Sequence, residues 1–366
     1  MKFNRRNLLT STVTALGAAG VAGQTIAAEQ PAAAAAQRRG IIDCQSHLFF
    51  PQVLDVMRRR DADPSVYDED GKTYLKMGPW LRKVPPLYYD VDAKLAAMNA
   101  AGIEVTMLSN NDPGPEWFGQ DGGSMARVIH DSIHEVCRAH PGRFYGLCAL
   151  PLQDRPAAEA ELRRCVEKLD FRGILLYTNL AGAWCDEPPF RWLFARAEQM
   201  GVPILLHPAK PMTTDQTAGY ELTSTLGNMF ENTIAMARII ASGLLDEHPK
   251  LKLVCPHLGG TLPYISGRMD HQIMQLKRST QTLKRKPSDY LREIYMDIVS
   301  PLPEAMRFAL DFSSPDRLLF SSDHPWVQPT EILEPFSSFA TTRSCVRTSP
   351  TPGWRMVGKS RALIHP

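Results

Sequence analysis

The chain has 366 residues, 44% of them hydrophobic and 22% charged, an ordinary globular composition with material for one large core or two small ones. Its formal net charge of +2, with lysines and arginines scattered along the chain, excludes a nucleic-acid scaffold, which needs a concentrated basic face. Seven cysteines form an odd set without a CxxC pair. That pattern argues against a disulfide framework, a zinc ribbon or a redox motif.

Residues 1–28 read as a twin-arginine signal peptide: Arg5-Arg6-Asn7-Leu8-Leu9 precedes a mildly apolar stretch from Leu8 to Ala28. Rich in Ala, Gly and Thr, the stretch is too weakly apolar for a permanent span, which needs roughly 20 strongly apolar residues. It suits a leader cleaved near Ala27 or Ala28. The expectation is an exported, periplasmic protein without a membrane anchor after cleavage, delivered folded and able to take its cofactor beforehand. Residues 29–39, mostly Ala, are a linker.

From Gly40 onward, short apolar runs alternate with longer segments of helical period, the pattern of successive βα units on a parallel sheet. The eight runs are Ile41–Asp43, Val105–Ser109, Phe144–Ala149, Gly173–Tyr177, Pro203–His207, Leu253–His257, Ile294–Ile298 and Leu318–Ser321. Helical stretches lie between them, with apolar residues three or four apart: Val91–Ala101, Met125–His140, Ala157–Leu169, Phe190–Met200, Phe230–Leu245 and Pro303–Asp311. Eight units without a phosphate-binding glycine motif predict an α/β protein, a closed (β/α)8 TIM barrel spanning residues 40–366. Phe50 to Tyr89, too long for a simple connection, is expected to be an inserted cap after strand 1. Cys44, Cys148 and Cys255 fall in strand-like runs and read as small buried hydrophobes.

Such barrels carry their chemistry at the carboxyl ends of the strands. Here strand one runs into Gln45-Ser46-His47, strand five ends in His207, strand six in His257 and strand eight in Ser322-Asp323-His324. Gln45 and His47 are two residues apart, so strand alternation puts both on one face, where they can converge on a cation. His207 and Asp323 would complete the set from across the barrel. Imidazole with carboxylate suits zinc, with manganese or iron as alternatives, better than calcium or magnesium. A lone strand-end histidine is usually structural, but three on separate strands with an aspartate on the last are not explained that way.

The start around Asp43 to His47, the His207 position, the His257-Leu258-Gly259-Gly260 run and the Ser321-Ser322-Asp323-His324-Pro325 run resemble the amidohydrolase superfamily. Within it, the chain is similar to the aminocarboxymuconate-semialdehyde decarboxylase-like branch over most of Ile41 to Pro329. The resemblance implies one divalent metal held at Gln45, His47, His207 and Asp323. It also implies that His257 activates a metal-bound water or moves a proton, with Asp323 sharing the catalytic work. Arg268, eleven positions after His257, matches an arginine that reaches the substrate carboxylate of a neighbouring subunit, which implies a homodimer. Two features depart from the family pattern. Gln45 stands where histidine is usual and glutamate occurs, and a neutral amide oxygen is the weaker donor. Residues 341–366 match only faintly.

Two chemistries use these parts. A carboxy-lyase acting on a small aromatic or unsaturated carboxylate protonates carbon as carbon dioxide leaves, with Arg268, Lys210 or Arg82 as candidate holders of the carboxylate. A hydrolase of an amide, ester or lactone instead directs an activated water at a carbonyl. The pattern favours the carboxy-lyase. A third alternative is a barrel impaired by Gln45 and used for binding.

Overall fold

A computed structural model describes residues 40–300 and 302–342. The signal-peptide and linker readings, and residues 343–366 of the tail, lie outside the described residues. Eight parallel strands pair in chain order: β1 (Ile41–Leu48), β2 (Ile103–Asn110), β3 (Phe144–Cys148), β4 (Gly173–Tyr177), β5 (Ile204–His207), β6 (Leu253–Cys255), β7 (Tyr295–Asp297) and β8 (Leu318–Leu319). The fold is the expected TIM barrel. Strands covered on both faces read as continuous apolar runs, and all residues of β4 and β5 are buried.

Each strand is followed by a helix on the outside. These are α1 (Val91–Ala101), α2 (Gly122–Ala139), α3 (Arg155–Glu167), α4 (Trp192–Met200), α5 (Asn228–Ala241), α6 (Leu262–Asp270), α7 (Pro303–Phe312) and α8 (Pro329–Thr342). Local chemistry sets several ends. Asp90 and Asp154 accept the backbone N–H three residues on, at 2.9 and 3.1 Å, and so satisfy N-terminal donors of α1 and α3. Gly102 and Gly201 close α1 and α4 at φ 71° and 68°, a left-handed conformation that glycine adopts without Cβ strain. Among the described residues, no helix is long and apolar enough to cross a membrane.

Strand boundaries differ from the expected ones where chemistry sits. β1 continues through Gln45 and His47 to Leu48, and its register against β2 slips between Asp43 and Ser46. Such a bulge re-aims side chains. β6 stops at Cys255 because Pro256 brings no N–H to the ladder and His257 turns to φ 54°. The segment after β1 is built as a helix, Pro51–Arg58, and a three-stranded antiparallel sheet of Ser65–Glu69, Lys72–Met77 and Trp80–Lys83. Arg82 fastens this cap to the barrel. Its guanidinium grips both Asp112 carboxylate oxygens at 2.7 and 3.0 Å and lies 4.1 Å from the Trp80 ring centroid.

A second buried histidine cluster lies away from the strand ends. His130 Nδ1 donates to Glu161 at 2.7 Å, and its Nε2 accepts the Ala149 N–H at 3.1 Å. Glu161 is held in addition by Arg164 at 2.6 Å. With both ring nitrogens engaged, His130 ties α2, α3 and the end of β3 together and has no lone pair for a metal. His130→Ala strands the Ala149 N–H and opens a cavity, so urea denaturation is expected to report a loss of about 2–5 kcal/mol with bound metal per chain unchanged. A loss of metal with unchanged stability would contradict this structural role.

Candidate active site

The barrel closes where β1 meets the loop after β8. Cys44 N–H donates to Phe320 O at 2.9 Å, His47 N–H to His324 O at 2.8 Å, and Asp323 N–H to Gln45 O at 3.2 Å. Beneath this seam Asp43 accepts from Ser322 N at 3.0 Å and Ser322 Oγ at 2.6 Å. Buried Lys94, reaching in from α1, donates to Ser46 Oγ at 2.6 Å and His47 O at 2.9 Å, and its Nζ lies 3.1 Å from His324 Nδ1. Burial lowers the Lys94 pKa and raises that of Asp43, while their mutual attraction opposes both shifts. Burial, with the Lys94 charge beside it, pushes His324 down to about 3. It is therefore a neutral acceptor.

The seam brings His47 to Asp323, Nε2 to Oδ1, at 3.2 Å. His47 Nδ1 is 2.7 Å from Ser109 Oγ, which itself donates to Ser46 O at 3.4 Å. The serine proton being used there, Nδ1 carries the hydrogen and Nε2 turns a lone pair toward the carboxylate. Two acceptors face each other at this distance only with a proton or a cation to share. His207 joins them from β5, its ring centroid 4.4 Å from that of His47. Candidate ligand atoms of His47, His207 and Asp323 all lie within 4.8 Å of one another. His207 Nδ1 is buried without a hydrogen-bond partner. Burial, with His47 nearby, holds its pKa well below 6.5, so the ring is neutral and its lone pair is available. Gln45 Nε2 lies 3.3 Å from His47 Nε2 and 3.4 Å from Asp323 Oδ1. A half-turn of the amide would present Oε1 at the same place. These residues fit a divalent transition metal.

His257 stands on the other side of Asp323, Nε2 to Oδ2, at 3.7 Å. Its backbone N–H donates to Asp297 at 2.7 Å, and the Asn232 amide lies 3.0 Å from Nδ1. Both contacts leave Nε2 facing the site. Burial opposes the charged ring, but the Asp323 carboxylate in front, with Asp297 behind, outweighs it and raises the pKa above 6.5. For Asp323, burial alone would raise the carboxyl pKa. The imidazole of His257 beside it, with that of His47 at the other oxygen, instead holds it far below the ordinary range. His257 and Asp323 adopt φ of 54° and 55°, left-handed conformations that cost a non-glycine residue about 1–3 kcal/mol and collect at functional sites.

Gln45, His47, His207, His257 and Asp323 are thus brought together. Arg268 is not. It is exposed on α6, on the outside of this barrel. Arg82 is committed to Asp112, and the Lys210 ammonium lies 5.8 Å from the Trp117 ring centroid. Ser109, Lys94, Asn232 and Asp297, each of which orients a site residue, carry no motif in the sequence.

The amidohydrolase family model matches residues 42–344. The chain belongs to the amidohydrolase family. It is 33% identical over 267 residues to γ-resorcylate decarboxylase from a Rhizobium species, across 66% of this chain and 82% of that protein. With 2-amino-3-carboxymuconate-6-semialdehyde decarboxylase of Dictyostelium discoideum it shares 26% identity over 275 residues, 72% of this chain and 76% of the relative. The crystal structure of a dihydroxybenzoic acid decarboxylase from a Polaromonas species, with manganese and 2-nitroresorcinol bound, superposes with a TM-score of 0.71 at 24% identity, covering 88% of this chain and 96% of that one. The family barrel and the decarboxylase-like branch expected from the motifs are both borne out.

The donor set predicts how variants hold metal. His207→Ala and Asp323→Ala are expected to lose divalent-metal affinity by about tenfold or more, whereas His257→Ala keeps it. Gln45→His should bind more tightly than the parent protein. Elemental analysis with competitive titration reads all four. A metal-free His257→Ala beside a fully loaded His207→Ala would contradict the assignment, and metal loss in Gln45→His would remove Gln45 from the donor set.

Proposed function

We propose that this amidohydrolase is a metal-dependent decarboxylase of a small aromatic carboxylic acid. The observation that carries the reading is the convergence of His47, His207 and Asp323, whose candidate ligand atoms lie within 4.8 Å of one another, with His257 Nε2 on the far side of the same carboxylate. His47, His207, Asp323 and Gln45 would hold one divalent metal, and the donor set admits zinc, manganese or iron. Such an ion supplies Lewis-acid polarisation of an oxygen of the substrate.

Decarboxylation leaves an electron pair on carbon, and the transition state falls when a proton reaches that carbon as the carbon–carbon bond breaks. His257 has the features of that proton carrier. Its pKa is raised, its Nε2 faces the site, and its other nitrogen and backbone are held by Asn232 and Asp297. Asp323 positions the imidazole and supports its charge. By their names, two of the relatives described above decarboxylate hydroxylated aromatic acids and the third an unsaturated one, and hydrolysis is the competing chemistry for the same groups.

Arg268 acts in a second copy of the chain in this reading, so the working form is a homodimer. Its exposure on α6 supports this, together with exposed Tyr264 on the same helix and exposed Phe230 and Ile234 on the neighbouring α5. The two helices are joined where Thr233 Oγ1 meets Thr261 Oγ1 at 3.1 Å. Large exposed apolar groups are the composition of a self-association surface.

The purified full chain, loaded with manganese or zinc, is incubated with a panel of hydroxylated benzoates and unsaturated acids while carbon dioxide and released acid are followed. Stoichiometric carbon dioxide from one of them is expected, with His257→Ala and Arg268→Ala each slowed by about 10²-fold or more. Mixing these two variants should restore part of the activity through mixed dimers. Acid release from esters or amides without carbon dioxide would replace the decarboxylase reading by a hydrolase, and no recovery on mixing would place Arg268 outside the partner's site.

A further inference from the structure

The end of the barrel opposite the candidate metal donors holds a cavity of about 180 Å³, reached where β6, β7 and β8 begin, at Leu253, Tyr295 and Arg317. Barrels of this kind keep their chemistry at the other face, so catalysis does not account for what lines it. His248, Lys250, Lys252, Arg285 and Arg317 surround the cavity, against Glu293 as the one acid. That is a concentrated positive excess in a chain whose whole net charge is +2.

The carboxylates nearby are already engaged. Glu293 takes two Arg285 nitrogens at 2.5 and 2.9 Å. Glu198 accepts the Lys250 N–H at 2.6 Å and lies 3.3 Å from His248 Nδ1. Asp246 accepts from the Tyr290 hydroxyl at 2.5 Å and the Lys284 N–H at 3.0 Å. Lys250, Lys252 and Arg317 are left without an ion pair among the described residues. Lys252 is the cation most in need of one, because burial lowers its pKa and no carboxylate opposes the shift. Arg317 is held in place, its guanidinium 4.7 Å from the Tyr295 ring centroid, and Arg285 lies 4.4 Å from that of Tyr290. Stacking orders a guanidinium before a ligand arrives, which leaves less entropy to be lost on binding.

We propose that this cavity is a second binding site, for a small multivalent oxyanion such as a phosphate or a dicarboxylate, held by Lys252 and Arg317 with Lys250 at the rim. The planar Arg317 fork can meet two oxygens of one anion, and the Lys252 ammonium supplies a point charge beside it. The volume sets the size of the ligand. It is the space of roughly six waters at ~30 Å³ each and falls below the ~300 Å³ at which pockets for larger organic ligands begin. The site is separate from the metal centre and does not depend on the decarboxylase reading. An anion seated there lies at the root of β6, the strand that leads from Leu253 to His257.

Calorimetric titration of the metal-loaded full chain with phosphate, succinate and chloride, at constant ionic strength, tests the site. Phosphate or succinate should bind once per chain and about tenfold or more tightly than chloride; which of the two binds better identifies the anion chemistry. The double variant Lys252→Met with Arg317→Met should weaken that binding by about tenfold or more while keeping its bound metal, and Lys252→Arg should retain it. Lys252→Gln alone, a change at one partly exposed side chain, should weaken it by about threefold or more. The metal-poor His207→Ala variant should bind the anion as the parent does. Equal binding of all three anions overturns the site. So does anion binding that persists in the Lys252 and Arg317 variants, or that is lost in His207→Ala, since the ion would then lie at the metal centre.

Discussion

Closure of the sheet between its first and last strands is the constraint on which the site depends. β8 contributes only two ladder residues, so the junction is made chiefly by backbone bonds from the loop beyond it: His47 to His324 and Asp323 to Gln45. Those bonds carry the very residues whose side chains meet. Gln45, His47 and Asp323 are thus set by main-chain geometry rather than by side-chain reach, with His207 joining from β5, which is the precision that a preorganised centre needs. Under the junction, Lys94 and Asp43 hold a charged network together inside the protein. Removing either one would leave its partner's charge buried and unmatched, a change far more costly than the pair is stabilising.

Electrostatics divides the three strand-end histidines into two kinds. His47 and His207 lie deep, one ring tethered to Ser109 and the other with its pKa held low, and both offer lone pairs. His257, with Asp323 in front and Asp297 behind, is pushed toward carrying a proton. The same carboxylate serves both kinds, one oxygen toward the donors and the other toward the proton carrier. The division follows from environment alone, since the residue type is identical. Gln45 lowers the negative charge of the donor set compared with a glutamate in its place and leaves Asp323 as the single anion among the four.

Much of this was legible in the sequence because strand-end chemistry breaks a simple pattern. His207 closes an apolar run, His257 follows one directly, Asp323 follows Leu318-Leu319-Phe320 after two serines, and buried parallel strands otherwise hold few polar residues. The orienting residues break no pattern. Lys94 sits in a helix where a lysine ordinarily faces water, and Asn232 sits in another among polar and apolar neighbours alike. Ser109 is a small residue at the end of β2. Their roles exist only once distant strands are brought together. The cap was recognisable from its length but not from its structure, because three short strands with large polar and aromatic residues carry a weak alternation signal.

A crystal structure of the manganese-loaded chain, with the ion located by anomalous scattering, examines the central claim most directly. One peak bonded to His47 Nε2, a ring nitrogen of His207 and Asp323 Oδ1, with His257 outside bonding distance, is the outcome the account predicts. An ion bound stoichiometrically elsewhere, or bonded to His257 in place of His207, would contradict it.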